Sequence, residues 1–323
     1  MIISGIDEAG YGPLLGPLVV GCCAFRIDGE RPADEIPCLW KRLRRHLSKS
    51  RSKSGRKIHV NDSKLVYGSS VGLKELERSV LSIVAASGEW CPTLDALLDR
   101  VALEACDEAS QYAWYAPPAD ERFPIEQEGM PVRLFAKSLR EEMDRTATHC
   151  VHVRAQVVFE RRFNAMVEST RNKASALFSI AAVHLDYLLK TFGDQDLVIV
   201  CDRQGGREHY GSLLRLMFPD WSLEIDCESD GNSEYRLHRA GHCVRLFFRE
   251  KAEVGCMSVA VASMLSKYLR EAMMRRFNSF WRIHLPGVQP TAGYYGDGTR
   301  FLADIAMKRR ELGIGDEHLV RSR

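Results

Sequence analysis

Several common features are missing from this chain of 323 residues. It has no run of about 18 consecutive apolar residues, so hydropathy offers no membrane-spanning helix. It has ten cysteines but no Cys-x-x-Cys pair. No charged n-region and apolar h-region precede the first apolar run, and reduced thiols in a cytoplasmic protein are expected. The formal net charge is only +2, so no overall positive field announces a nucleic-acid partner; any such contact has to rest on a local patch. No internal repeat is visible. What is present is ordinary globular composition. With 45% hydrophobic and 27% charged residues, there is enough apolar mass for a core in one large domain or two small ones.

Residues 2–7 and 18–27 are short apolar runs rich in β-formers, split by a Gly/Pro stretch. They predict two strands with a tight connection. Residues 41–57 (KRLRRHLSKSRSKSGRK) predict a basic helix end running into a mobile loop. The plain reading is a solvated charge run; the other is a nucleic-acid contact. Helical patterns follow at 71–87, 94–105 and 133–145, the last two around the Pro-rich loop "WYAPPADERFP". Residues 150–159 alternate like a strand, and 172–191 repeat apolar positions at helical spacing. "DLVIVCD" (196–202) is an apolar run ending in Asp202, the way a buried central strand delivers an acid to a sheet edge. Then come a helix at 207–217, strands at 222–227, 234–239 and 243–249, an amphipathic helix at 257–277, and a last helix at 299–312. An Asp230-Gly231 turn joins the first two of those strands. The pattern predicts an α/β fold, one mixed β-sheet flanked by helices. It is read as a single domain over 1–323, with a basic insertion at 29–57, a helical insertion at 92–148 and a C-terminal helical segment at 278–323.

The chemistry starts at "IDEAGYGPLLGP" (6–17), where two adjacent acids at a strand end lead into a backbone rich in glycine. Asp7 and Glu8 are joined by Asp202, and by Glu253 in "FFREKAEVG", just after another strand. Hard divalent cations need oxygen ligands, and four acids at strand ends suit two ions in phosphoryl transfer. Acids also end strands for no such reason. Gly10-Tyr11-Gly12 lets backbone amides approach a ligand, or is simply a tight turn. In "NDSK" (61–64), Ser63 and Lys64 suit a phosphate, while a helix cap by Asp62 or Ser63 is the plainer reading on spacing alone.

Other signals weigh less. Asp226–Gly231 begins like a calcium loop, but its twelfth position is Leu237, so a hairpin is expected. His238 and His242 stand four apart without the glutamate of a metalloprotease helix. His149 and His152 read as structural. Cys201 reads as a small buried residue. Trp114 and Tyr115 offer stacking surfaces, though anchoring the insertion to the core is the plainer role.

Taken together, "GIDEAGYGPLLGPLVVG", "NDSKL", "LVIVCD", "KAEVGCMSVAVASMLSKYLRE" and "AGYYGDGT" resemble, in order, the motifs of the type 2 ribonucleases H, ribonucleases HII and HIII. The similarity covers roughly residues 2–28, 58–66 and 150–312. It implies a ribonuclease H-like fold and an endonuclease that cuts the RNA strand of RNA/DNA hybrids, or DNA at embedded ribonucleotides. Two Mg²⁺ or Mn²⁺ ions are implied, with 5′-phosphate ends as product. The family's four acids fall on Asp7, Glu8, Asp202 and Glu253. Its ribose-sensing Gly-x-Gly falls on Gly10, Tyr11 and Gly12, and its phosphate contacts on Ser63 and Lys64. Its sugar-packing tyrosine falls on Tyr294 or Tyr295. Lys267 and Arg270, three apart on the long helix, are candidates to line the nucleic-acid backbone path, or are solvated helix charges. A glutamate in fourth place resembles the HIII branch. Tyr11 departs from the basic residue usual there, and "GYYGDGT" carries two extra residues. The implied partners are a hybrid or a ribonucleotide-containing duplex and no membrane; a monomer is expected. A repurposed non-catalytic nucleic-acid binder, and a nuclease of the same fold acting on structured DNA, are the alternatives.

Overall fold

The structure is a computed structural model, in which residues 1–29, 36–52, 54–68 and 72–322 are described. Parts of the expected basic insertion, at 30–35 and 53, and residue 71 of the expected 71–87 helix lie outside them.

The two N-terminal apolar runs form β1 (Ile2–Ala9) and β2 (Leu18–Ile27), an antiparallel pair. β2 pairs antiparallel with β3 (Thr148–Val158), and β1 pairs parallel with β4 (Leu197–Asp202). The chain then runs through β5 (Ser222–Ser229), β6 (Asn232–Arg239) and β7 (His242–Arg249), an antiparallel set whose last strand lies parallel to β4. The sheet order is β3-β2-β1-β4-β7-β6-β5. This is the expected mixed sheet, and the hairpin turn falls at Asp230-Gly231 rather than in a calcium loop. Asp226 is ion-paired to Arg236, and His238 is hydrogen-bonded to Glu224 at 3.2 Å.

Helices cover both faces of the sheet centre, which is why β1, β2 and β4 read as nearly continuous apolar runs. On one face lie α1 (Ser63–Tyr67), α2 (Leu73–Ala86), α3 (Leu94–Val101), α4 (Gly129–Arg145) and, further along the chain, the 28-residue helix Met257–His284. On the other lie α5 (Glu160–Thr170), α6 (Lys173–Phe192) and α7 (Gly211–Met217). A single-turn helix, α8 (Ala252–Gly255), follows β7 and precedes the long helix, named α9 from here. The small residues of "SVAVAS" bring α9 against the sheet almost backbone to backbone. A Cβ on Gly5 would sit 2.1 Å from the Val259 amide nitrogen, and one on Gly21 would sit 2.6 Å from the Ala262 carbonyl oxygen. Ser258 and Ser266 hydroxyls donate to the carbonyls of Ile3 (3.0 Å) and Asp7 (3.1 Å). Beyond them, the buried Leu265 and Leu269 each contribute roughly 1.5–3 kcal/mol by leaving water.

The 92–148 region is stitched to this core. The buried Glu77 carboxylate accepts the amides of Ile125, Glu126 and Gln127 at 2.6, 2.7 and 2.8 Å. Trp114 and Tyr115 are buried, Tyr115 packing on Phe159 with ring centroids 4.8 Å apart. Both therefore anchor the segment and offer no stacking surface.

Element boundaries moved for local reasons. The expected helix at 94–105 stops at Val101, because Glu104 takes φ +70° before a second turn begins at Ala105. The helix expected at 207–217 starts only at Gly211, after the Gly205-Gly206 turn. The helix expected at 299–312 begins earlier, as α10 (Tyr295–Asp304), and breaks at Ile305 before Ala306–Glu311. α9 runs seven residues past the expected end, and α5 had no expectation at all. Among the described basic residues, Lys49 is held in place: its ammonium donates to the Val254 carbonyl (2.7 Å) and lies 4.1 Å from the Trp40 ring centre.

Candidate active site

Register brings the acids together. Ile6 of β1 lies opposite Cys201 of the parallel β4, so Asp7 and Asp202 come next along the two strands at the same edge. β7 lies beside β4 and hands the chain to α8, whose Ala252 amide donates to Asp202 Oδ1 at 3.0 Å. Glu253 follows immediately. Asp7 and Glu253 are each only 8% exposed. The Glu8 amide donates to Asp7 Oδ1 at 2.7 Å.

All four acids resist ionisation. Burial holds Asp7 well above the usual carboxyl range, and the charges of Glu8 and Asp202 add to it; a hydrogen bond with Ser263 pulls the other way. Burial, then Asp202, pushes Glu8 up to about 8. Asp202 is raised by burial, against the amides of Ala252 and Arg203, with Asp62 adding repulsion. Glu253 is raised by burial, and further by Asp202 and Asp62. The exposed Lys64 opposes the rise in Glu8, Asp202 and Glu253. Glu8 Oε2 is buried without a hydrogen-bond partner. No three carboxylates among the described residues bring one oxygen each within 4.8 Å of one another; the one set that meets this spacing is Cys22, His152 and His184.

α1 delivers Lys64. Its cap is Asp62, whose Oδ1 accepts the Lys64 amide at 2.9 Å, so the capping reading of "NDSK" holds. Asp62 is also a fifth acid at the site, a role hidden by that capping pattern. Ser63 points inward and is hydrogen-bonded to Ser263 at 3.0 Å. Burial there keeps it from solvent, so it does not stand ready for a phosphate as expected.

Gly10 has φ +89°, and a Cβ there would meet Arg270 Nε at 2.6 Å; around Gly12 there is open space. Arg270 is buried rather than lining a path. It donates to the carbonyls of Ala292 (2.7 Å) and Leu15 (3.4 Å), tying the Gly-rich segment to the C-terminal element, and lies 5.6 Å from the Tyr294 ring centre. Leu14 and Leu15 amides donate to the Gly293 carbonyl at 2.8 and 3.2 Å, so Tyr294, 51% exposed, is placed beside that segment. Lys267 is ion-paired to Glu271 (2.7 Å) and half-covered by Tyr67, so it too differs from the free backbone contact expected.

Tyr11 stands in a basic setting that local sequence does not reveal. Lys173 Nζ is 5.1 Å from its ring centre, and Arg321 donates to the carbonyls of Gly10 and Tyr11. Burial and then Glu8 raise the Tyr11 phenol, while Arg207 and Arg321 oppose them.

No family model matches the chain. Over 61 residues it is 46% identical to the ribonuclease HII of Methanocaldococcus jannaschii, covering 19% of this chain and 25% of that protein. Over 89 residues it is 36% identical to the ribonuclease HII of Chlamydia abortus, covering 27% and 38%. The chain thus spans between a quarter and two fifths of the length of these curated relatives. A solved ribonuclease HII from Archaeoglobus fulgidus, in complex with PCNA, aligns over 100% of this chain and 95% of that one, at 14% identity and a TM-score of 0.45. The two local sequence matches support the similarity to type 2 ribonucleases H read from the motifs.

Proposed function

We propose that this chain is a type 2 ribonuclease H: a single-domain, divalent-metal-dependent endonuclease acting on the RNA strand of RNA/DNA hybrids, or on DNA at embedded ribonucleotides. The observation that carries the reading is the convergence of Asp7, Glu8, Asp202 and Glu253 at one sheet edge, all four raised above their ordinary pKa. Buried carboxylates that repel one another call for a cation. A donor set made only of oxygens, with a buried Glu8 oxygen lacking a partner, fits Mg²⁺ or Mn²⁺. Two such ions, when bound, supply Lewis-acid stabilisation of in-line attack by water on the phosphodiester.

The residues of the chain do the positioning. Asp7 is oriented by the Glu8 amide at its carboxylate and by Ser266 at its carbonyl. Lys64 presents a point charge to a substrate phosphate. Gly12, with open space where a side chain would be, leaves the backbone approachable by a ribose. Lys173 and Arg207 supply the positive charge that Tyr11 does not carry. Tyr294 offers a flat face for a sugar. Ser63 acts through Ser263 as a positioning residue. Cleavage leaves 3′-OH and 5′-phosphate ends.

The test uses labelled duplexes of about 20–30 base pairs with Mg²⁺ or Mn²⁺: an RNA/DNA hybrid, a DNA duplex with one ribonucleotide, and all-DNA. Ribonucleotide-dependent cutting that disappears in Asp7→Asn is the expected result. Metal-dependent binding without cutting of any substrate overturns the proposal in favour of a repurposed groove. Cutting of all-DNA overturns its substrate class.

A further inference from the structure

A second set of potential ligands lies away from the carboxylates, in the core between the sheet and α6. The Cys22 sulfur and one ring nitrogen each of His152 and His184 lie within 4.8 Å of one another. The three residues come from three elements, β2, β3 and α6. His184 alone would be an ordinary core histidine, since the Val20 carbonyl accepts its Nε2–H at 2.9 Å. That bond also fixes the tautomer and leaves the Nδ1 lone pair free of a proton; a backbone carbonyl on one ring nitrogen is the usual outer partner of a histidine that ligates a metal through the other. His152 is different. It is 7% exposed, and its Nε2 is buried with no hydrogen-bond partner, which costs free energy unless something takes up the lone pair or proton. Ser4 Oγ is 3.6 Å from Cys22 Sγ, close enough to serve as an outer contact to a thiolate.

We propose that Cys22, His152 and His184 form a second metal site, selective for a Zn²⁺-class cation. One thiolate and two imidazoles are the donors that suit zinc and disfavour Mg²⁺, and three protein ligands leave a fourth tetrahedral position for water. Binding breaks the Cys22 S–H bond, forms the sulfur–metal bond and releases the proton to solvent. Tyr187, three residues after His184, stacks on His152 with ring centroids 4.4 Å apart and shields it from solvent. A cavity of about 220 Å³ lined by His152, Arg154 and Tyr187 opens beside the His152 ring. The ion would pin α6 to the β2–β3 pair, behind the strand end that carries Glu8.

Cobalt distinguishes this site from the carboxylates, which give no thiolate absorption. The full chain, stripped with EDTA and returned to excess Mg²⁺, is titrated with Co²⁺. A thiolate-to-cobalt charge-transfer band in the near ultraviolet, saturating at about one ion per chain and bleached by Zn²⁺, is expected. Cys22→Ser should lose the band. His152→Ala should weaken Co²⁺ binding by about tenfold or more, the least that even an outer-shell partner contributes. Cys150→Ser, a neighbouring buried thiol, should keep it. A folded wild-type chain with no band, or a band that survives Cys22→Ser, overturns the site. If Cys22→Ser does not fold, loss of the band in Cys150→Ser rather than in His152→Ala overturns it instead.

Discussion

The two ligand clusters differ in what the fold demands of them. At the sheet edge, four acids are gathered where Asp202 raises the cost of ionising Asp7, Glu8 and Glu253, Glu8 adds to that of Asp7, and Lys64 is a partial counterweight. In the core beneath α6, a thiol and two imidazoles sit together as neutral groups. Neutral donors pack into an apolar interior at little electrostatic cost, whereas clustered carboxylates need a cation or a proton. A fold with both has one cluster whose orphaned His152 nitrogen asks for a partner, and one that ionisation keeps under tension.

The largest effect that sharpens this contrast is on cleavage. Asp7→Asn should cut hybrid-cleavage rates by about 10³-fold, the scale of losing a main electrostatic group, while leaving the cobalt–thiolate band unchanged. Loss of both readouts together would erase the distinction between the sites.

Next is pH. Glu8 has its carboxyl raised from an ordinary 4.5 to about 8, so the folded chain holds that proton more tightly than the unfolded chain. The stability that Glu8 contributes is therefore fully present below about 4.5 and is lost as pH rises from there through about 8. In EDTA, the wild-type Tm relative to that of Glu8→Gln should decline across that window, which cancels the opposite titration of the buried His152 and His184, and Mg²⁺ should restore the wild-type Tm at the alkaline end. A wild-type Tm that gains on that of Glu8→Gln as pH rises over this range would contradict the buried, repelling arrangement.

A smaller effect separates two glycines of the rim. Gly10→Ala places a methyl against Arg270 at φ +89° and should lower stability by roughly 1–3 kcal/mol, read by urea denaturation. Gly12→Ala, in open space, should stay within about 0.5 kcal/mol. Equal losses would mean that Arg270 is not what holds the rim. The smallest expected change is Lys267→Ala. Its i,i+4 pair with Glu271 is partly exposed, and about 0.3–0.5 kcal/mol of stability is at stake, with hybrid binding little altered. A strong fall in hybrid affinity would return Lys267 to the substrate path.

Much of the sheet was legible because its strands are buried on both faces and carry unbroken apolar runs between Gly/Pro turns. Asp7, Glu8 and Asp202 were legible because they sit at the ends of such runs, and Glu253 because it follows the strand β7 closely. α5 was not, because its apolar face is short and its polar face dominates. Asp62 was hidden by its own capping role, and Ser63 and Lys267 were misplaced because a sequence does not say which way a helix turns its face.

By itself the sequence determined the mixed sheet, the order of its motifs and the placing of three acids at strand ends with a fourth just beyond one, since these follow from local pattern and period. Only the tertiary structure decided the company those residues keep. Arg321 reaches the Tyr11 carbonyl across 310 positions, and Arg270 reaches Leu15 across 255. Cys22 meets two histidines from separate elements. Such contacts form when burial and strand register close the chain on itself, and a long-range contact of that kind leaves no periodic trace in the residues that make it.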